Sequence, residues 1–481
     1  MGIYALGVFK NGVLTLLTDA LGSVKIYRSE HDEVISDSFA AALVGQPELE
    51  PDPQGAYEYA WSGSAFGQRT YVKGVTSTPF NSLLCLDDQI SLIQKPSPYG
   101  PVSASASLAG SSLDEAAASL VQALRKTFAT YAKLYGDGVI SALSGGFDSR
   151  LILALLLDAG VTPKLFVYGQ PTDSDVVVAK KVSQAMGLAL DARVNAATTE
   201  PAGEEGYADR IARDFALFDG WNYAGVFGDS VGIDNRFARA KQGLVLNGSL
   251  GEVYRNSFYL RDGSFSAHDV AAGVFSRFDE RAMSASFDAQ AYIATMAASM
   301  LQAIGQDYIG LDDRLDRHQV EMIHPLFRGR YWSSRDAGLN QRFGPMLYPF
   351  FDLESVRLTY DVPMAHKSLG RIEARMIEQL NPDLAAVVSD YGYRFDQEPP
   401  LKSRLSNQAN LLRPLWARRL AYRAKYRRKQ AFPSYLETKK LQRVMDTSFP
   451  HMSALFHPQK INDPSVYNRV ATMEYVFQHW S

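Results

Sequence analysis

The chain has 481 residues, 46% of them hydrophobic and 21% charged, with a net charge of −3. That length implies two or three domains with a sizeable core, and the composition is that of a globular chain rather than a disordered or fibrous one. The single cysteine, Cys85, excludes an internal disulfide and any cysteine-rich metal cluster. No apolar run approaches the roughly 18 residues that cross a bilayer. The N-terminus MGIYALGVFKNGV lacks the basic region and apolar stretch of a signal peptide. A cytoplasmic location is therefore expected.

Up to about residue 100 the chain reads as short strands: YALGVF, VLTLLT, KIYRS, EVISD, YVKGV, SLLCLD and QISLIQ, separated by Asn-Gly, Gly-Ser, Pro and Asp-Asp turn signals. Cys85 falls inside an alternating strand and is expected to be a buried structural thiol. KPSPYGPVSASASLAGSS (95–112) is rich in Pro, Ser, Gly and Ala and reads as a linker. A boundary near residue 108 follows, giving domains 1–107 and 108–481.

Ser112-Leu-Asp-Glu opens a helix, with a capping serine and an acidic first turn, that runs towards Tyr135. Residues 139–160 then read VISALSGGFDSRLILALLLDAG, a β-branched run, a glycine turn and an apolar helix expected to begin near Arg150. Gly145 and Gly146 remove the Cβ atoms that keep an anion off the backbone, so N–H groups can converge on it beside the positive end of a helix. Ser144 and Ser149 add hydroxyl donors, and Asp148 is a hard carboxylate suited to Mg²⁺. The expected guest is a polyphosphate. No Gly-Lys-Ser/Thr follows the glycines, so the loop is not a Walker A motif.

PKLFVYG reads as a second strand, and the stretch from Asp173 to Gly187 as a second helix. Strand, helix, strand, helix predicts a parallel sheet with ligands at its carboxyl edge, where Ser144 to Ser149 fall. Beyond residue 205 helical patterns dominate, interrupted by LVLNGSLGEVY (244–254) and MLYPFFD (346–352).

The loop resembles the SGGxDS pyrophosphate loop of the ATP pyrophosphatase (PP-loop) superfamily. LVLNGSLGEVY is similar to the LLSGEGxDELF of asparagine synthetase-like proteins, YPFFDLESVRL to their PFLDxxLVEL, and HKSLGRIEARMIEQLNPDL to their lysine-bearing helix. LTLLTDALGSVKIYRS, EVISDSFAAAL and GQRTYVKGVTSTPFNSLLCLDD resemble stretches of that family's glutaminase domain.

The resemblance implies an α/β fold: a parallel-sheet PP-loop synthetase domain with extra helices, after a small, truncated Ntn-glutaminase-like β domain. It implies ATP and Mg²⁺ as ligands, with Leu143, Ser144, Gly145, Gly146, Asp148, Ser149 and Gly248 around the nucleotide. Asp148 and Glu252 would hold the metal, and Lys367 would reach the α phosphate. The expected activity is an AMP-forming amide-bond ligation of a small-molecule or peptide carboxylate with an amine. The chain starts Met1-Gly2-Ile3 where glutamine-hydrolysing relatives start Met-Cys, so no glutaminase activity is expected. That pattern is similar to β-lactam synthetases and lasso-peptide cyclases. Ser249 and Leu250 replace the family's Glu-Gly, and Arg150 stands where a second hydroxyl residue is usual. These departures leave a second reading open, a pseudoenzyme acting as a scaffold. Asp352 is expected to be structural.

Two further stretches stand out. His318, Glu321 and His324 lack the i, i+4 histidine pair of zinc hydrolases, so no metal is expected there. Residues 401–430 carry ten Lys or Arg and no Asp or Glu, against −13 for the rest of the chain. A solvated helix with its aromatic side on the core is the plainer expectation for residues 402–429. An acidic partner, peptide or membrane surface is the sharper one, and nucleic acid is not expected.

Overall fold

A computed structural model describes residues 2–87, 90–100, 107–193, 206–228 and 231–480. Seven strands come first: β1 (Ala5–Lys10), β2 (Val13–Thr18), β3 (Tyr27–Arg28), β4 (Ile35–Ser36), β5 (Thr76–Ser77), β6 (Ser82–Leu86) and β7 (Ile90–Gln94). They form an antiparallel sheet in the order β1-β2-β6-β7 and a small one in the order β4-β3-β5. The first is barely covered: every residue of β1 and β7 is exposed. Asn11 and Gly12 supply the positive φ angles of the β1–β2 turn.

Three expectations change here. YVKGV is no strand; Val72 makes a single antiparallel bridge to Pro51, Tyr71 and Val72 are buried in the core, and the strand that pairs lies beyond it at Thr76–Ser77. Cys85 is half-buried rather than buried, on the face of β6 that it shares with the half-buried Leu83, whereas Leu84 on the other face is buried. The stretch read as a linker is tied down: the fully buried Tyr99 donates from its hydroxyl to the carbonyl of Phe351 at 2.7 Å. Residues 101–106 of that stretch lie outside the described residues.

Seven more strands follow: β8 (Val139–Ala142), β9 (Lys164–Tyr168), β10 (Leu190–Arg193), β11 (Leu244–Leu246), β12 (Phe265–Ser266), β13 (Arg314–Leu315) and β14 (Met346–Leu347). The fold is α/β around a five-stranded parallel sheet in the order β10-β9-β8-β11-β14. The two stretches that break the helical pattern, at 244 and 346, are thus strands of the same sheet. The helix Leu113–Tyr135 starts at Ser112 with a full capping box to Glu115. The next helix, Phe147–Asp158, begins three residues earlier than expected, which puts Asp148 and Ser149 in its first turn. Nine of its residues are buried, as a helix against a parallel sheet requires.

One contiguous apolar core runs from Leu21 to Phe477. Phe39 packs edge-on against Trp221 and Phe66 against Phe327, so the N-terminal residues share a core with the sheet and its helices. Among the described residues no helix is long and apolar enough to cross a membrane.

Candidate functional site

β8 lies at the centre of the parallel sheet, between β9 and β11, and its chain leaves the sheet at Leu143. Leu143 is buried and its N–H still donates to the carbonyl of Phe166 at 2.9 Å. The turn then closes on itself: the Ser144 N–H donates to the Ser149 hydroxyl at 2.9 Å, and the two hydroxyls lie 3.0 Å apart. No side chain caps the helix at Gly146, so the partial positive charge of its N-terminus is left to other groups. Gly145 is required by packing: a Cβ there would sit 2.6 Å from the Cβ of Asp390.

The loop opens into a cavity of about 860 Å³. Ser144, Gly146, Asp148, Glu252 and Lys367 line it, with Asp175, Arg255, Asp390 and Tyr391 beside them and Trp61 and Trp332 farther along the wall. Sequence reasoning thus brings together five of its site residues in one space. Gly248 stands behind Asp148, where a Cβ would approach that side chain's Cβ to 3.0 Å. Gly251 is tighter still, since its Cβ would lie 2.0 Å from Asp148 Oδ1. The neighbouring Leu250 adopts φ +76° although it carries a side chain, a conformation that costs about 1 kcal/mol or more and recurs at functional loops. Ser249 folds inward, its N–H and hydroxyl both on Asn247 Oδ1.

Arg255 organises the acidic side of this space. Its guanidinium donates to both oxygens of Asp148 at 3.0 and 2.8 Å, and its Nε lies 3.6 Å from Glu373 Oε2. Glu373 is fully buried, and its carboxyl lies within hydrogen-bonding reach of the Asp148 carboxyl. Burial drives its carboxyl well above the usual range, and the Asp148 charge reinforces this against the pull of Arg255. Burial likewise raises Asp148, opposed by Arg255 and aided by Glu252. Glu252 goes the other way: burial pushes it up, but His324, Arg328 and Arg255 together bring it below its ordinary value.

Two more carboxylates meet the loop itself. Asp175, in the first turn of the helix Ser174–Ala185, accepts the Gly145 N–H at 2.8 Å. Asp390, raised by burial and by Asp175, lies against Gly145. Arg150 does not line the cavity: its guanidinium donates to the carbonyls of Val387 and Val388 at 2.7 and 2.9 Å, and its charge acts on the lining through Asp390.

Lys367 is 1% exposed and its ammonium is hydrogen-bonded to Glu321, which also pairs with Arg317. Burial lowers the lysine, and Glu321 opposes that shift. Within the HQVEMIH segment Glu321 pairs with Lys367 and His318 with Asp361 at 3.0 Å, and among the described residues neither ring nitrogen of the buried His324 is hydrogen-bonded. Asp352 is structural, accepting from the Ser355 N–H and the Thr127 hydroxyl.

The sequence reasoning missed Arg255, Glu373, Asp175 and Asp390. Arg255 follows Glu252 by three residues and was within reach of the motif; the others lie on distant segments and carry no local signal.

The donor set can be weighed against Mg²⁺ and ATP. Among the described residues no group of three or more His, Cys, Asp or Glu side chains is arranged to hold a metal. Asp148 and Glu252 thus offer two carboxylates, which suits an ion that takes its remaining ligands from water and phosphate. The ion must take Asp148 from Arg255. A bare polyphosphate fits poorly, because Asp148, Asp175, Glu252 and Asp390 would all repel it; one that arrives with its cations fits the same residues. A search of protein-family models gives no match to this chain, and no curated protein matches it.

Proposed function

We propose that the chain is an ATP-dependent, AMP-forming carbon–nitrogen ligase that activates a carboxylate and joins it to an amine without hydrolysing glutamine. The observation that carries this reading is the Ser144–Ser149 loop at the carboxyl end of the central strand, opening on a cavity that also holds Asp148, Glu252 and Lys367. A magnesium-bound ATP supplies the leaving group that a free carboxylate lacks. The Gly146 N–H and the Ser144 and Ser149 hydroxyls would hold phosphate oxygens, and Asp148 with Glu252 would hold the cation. Lys367, fixed by Glu321, would keep a positive charge in the wall near developing negative charge. Trp61, Tyr223 and Trp332 give the far side of the cavity aromatic surface for an organic substrate.

Exchange of labelled pyrophosphate into ATP, with Mg²⁺ and a panel of amino acids, peptides and sugar acids, tests this. One carboxylate should drive exchange, and Asp148→Asn should abolish it. If no carboxylate drives exchange and calorimetry detects no ATP binding, the ligase reading fails.

A second reading, a scaffold that has lost catalysis, draws on the Asp175 carboxylate seated on the Gly145 N–H. It is favoured if ATP fails to bind even after that carboxylate is removed.

A further inference from the structure

The helices Leu401–Leu412 and Leu415–Tyr426, joined at Arg413 and Pro414, form an arm whose outer face is at once apolar and basic. Their inner side is well anchored. Leu415 packs on Gly273, where an added Cβ would lie 2.7 Å from the leucine Cβ. Arg418 donates to the carbonyls of Phe258 and Tyr259, Arg419 and Arg423 pair with Glu280, and Asn407 donates to the Ser368 hydroxyl. Tyr426 is buried, as the plainer expectation for this stretch had it.

The outer side departs from that expectation. Leu401, Leu405, Leu412, Trp416 and Leu420 are each between 53% and 75% exposed. The spacings 401, 405, 412 and 416, 420 put them in a stripe on each helix. Flanking the stripe, Lys402, Arg404, Arg413, Arg427, Arg428 and Lys429 are all exposed. No Asp or Glu occurs from 401 to 430, while the rest of the chain nets −13. Solvation explains exposed arginines but not five exposed large apolar side chains, since an apolar patch of that kind marks an interaction surface.

We infer that this arm docks on an anionic lipid bilayer. The stripe lies on the solvent-facing side of both helices and every charged residue from 401 to 430 is basic, which suits an anionic interface, with leucine and tryptophan entering the headgroup boundary and Arg and Lys meeting lipid phosphates. An acidic peptide would satisfy the charges and leave the leucines and Trp416 in water. The inner side of the same arm supplies Ser403, Asn407 and Lys425 to the cavity wall. Docking therefore sets the cavity beside the membrane surface, within reach of a carboxylate or amine carried by a membrane-attached molecule. The docking itself is independent of what the cavity binds.

Cosedimentation of the full chain with vesicles tests this. The chain should pellet with vesicles of equal parts phosphatidylcholine and phosphatidylglycerol at low salt, stay in solution with phosphatidylcholine alone, and release as salt rises. Trp416→Ser with Leu420→Ser, and separately Arg404→Glu with Arg413→Glu, should each weaken binding about tenfold or more. Both pairs are exposed, so their melting curves should match the parent chain. Brominated lipid should quench a part of the tryptophan emission that Trp416→Phe removes. No sedimentation with anionic vesicles at low salt overturns the proposal, as does sedimentation that neither variant weakens. Binding of a polyglutamate peptide without vesicle binding would assign the arm to an acidic protein partner instead.

Discussion

The carboxylate of Asp175 holds the backbone N–H of Gly145 at 2.8 Å, in the loop whose N–H groups the sequence assigns to phosphate. The chain therefore supplies its own anion to that donor, and a nucleotide must displace it or bind around it. Asp175→Asn keeps an acceptor but removes the charge. Magnesium–ATP should then bind about tenfold tighter, the equivalent of roughly 1.4 kcal/mol of relieved repulsion. Calorimetry decides; unchanged affinity would mean that Asp175 only shapes the turn.

Lys367 and Glu321 form a buried pair, and breaking it from one side should be costly. Glu321→Ala leaves a buried ammonium facing other cations and should destabilise the fold by about 3–5 kcal/mol. Lys367→Met with Glu321→Ala should recover part of that loss, because the buried ammonium is gone while Arg317 still lacks its Glu321 partner. Denaturant unfolding of the two single variants and the double variant gives the coupling directly.

The acidic side of the cavity predicts a link between Arg255 and divalent cations. Arg255→Met removes the cation that, among the described residues, is bonded to Asp148 and leaves Glu373 beside it. The variant should melt at lower temperature than the parent, and Mg²⁺ should restore part of the loss. The parent should show a smaller shift at the same Mg²⁺ concentration. Equal shifts in both would mean that Arg255 does not occupy the cation's place.

His324 gives a pH dependence. Burial lowers its pKa from 6.5 to about 4, so between those values the unfolded chain binds a proton that the folded chain does not. Stability from this group is complete above pH 6.5 and is lost as pH falls towards 4. The loss amounts to about 3 kcal/mol. His324→Gln should remove that component, so its unfolding free energy should fall less steeply than the parent's across the same window.

Gly251→Ala should be poorly tolerated for steric reasons alone. Its Cβ would lie 2.0 Å from Asp148 Oδ1. Overpacking of that size costs about 1–3 kcal/mol. The variant should lose both melting temperature and nucleotide affinity, whereas Gly187→Ala, with nothing within 4 Å of the added Cβ, should lose only the strain of its left-handed backbone.

What the sequence disclosed and what it did not divide along physical lines. Ser144, Gly145, Gly146, Asp148 and Ser149 were legible because a strand, two glycines and a helix lie next to one another in the chain. β11 and β14 were only partly legible: their apolar runs are too short to show a period, and pairing with β8 is what makes them strands. Glu373 and Asp390 were silent, since a carboxylate buried by tertiary packing looks the same in sequence as a solvated one. Glu321 was noticed for its histidine neighbours, and its true partner Lys367 lies 46 residues away. Trp416 was expected to face the core, because helical periodicity gives a face and not its direction.

The staple between Arg150 and the carbonyls of Val387 and Val388 also has a meaning in time. Arg150 ends 0% exposed, yet its acceptors lie 237 and 238 residues downstream. On a ribosome adding about 5–20 residues per second, that gap lasts roughly 10–50 s. Throughout it the nascent helix carries a guanidinium that cannot be buried, so β8 and its loop cannot reach their final packing before the last quarter of the chain is being made. The Ser144–Ser149 loop is thus among the earliest parts of the centre to be synthesised and among the last to be finished, and a chain truncated before Val387 should be held by chaperones rather than released.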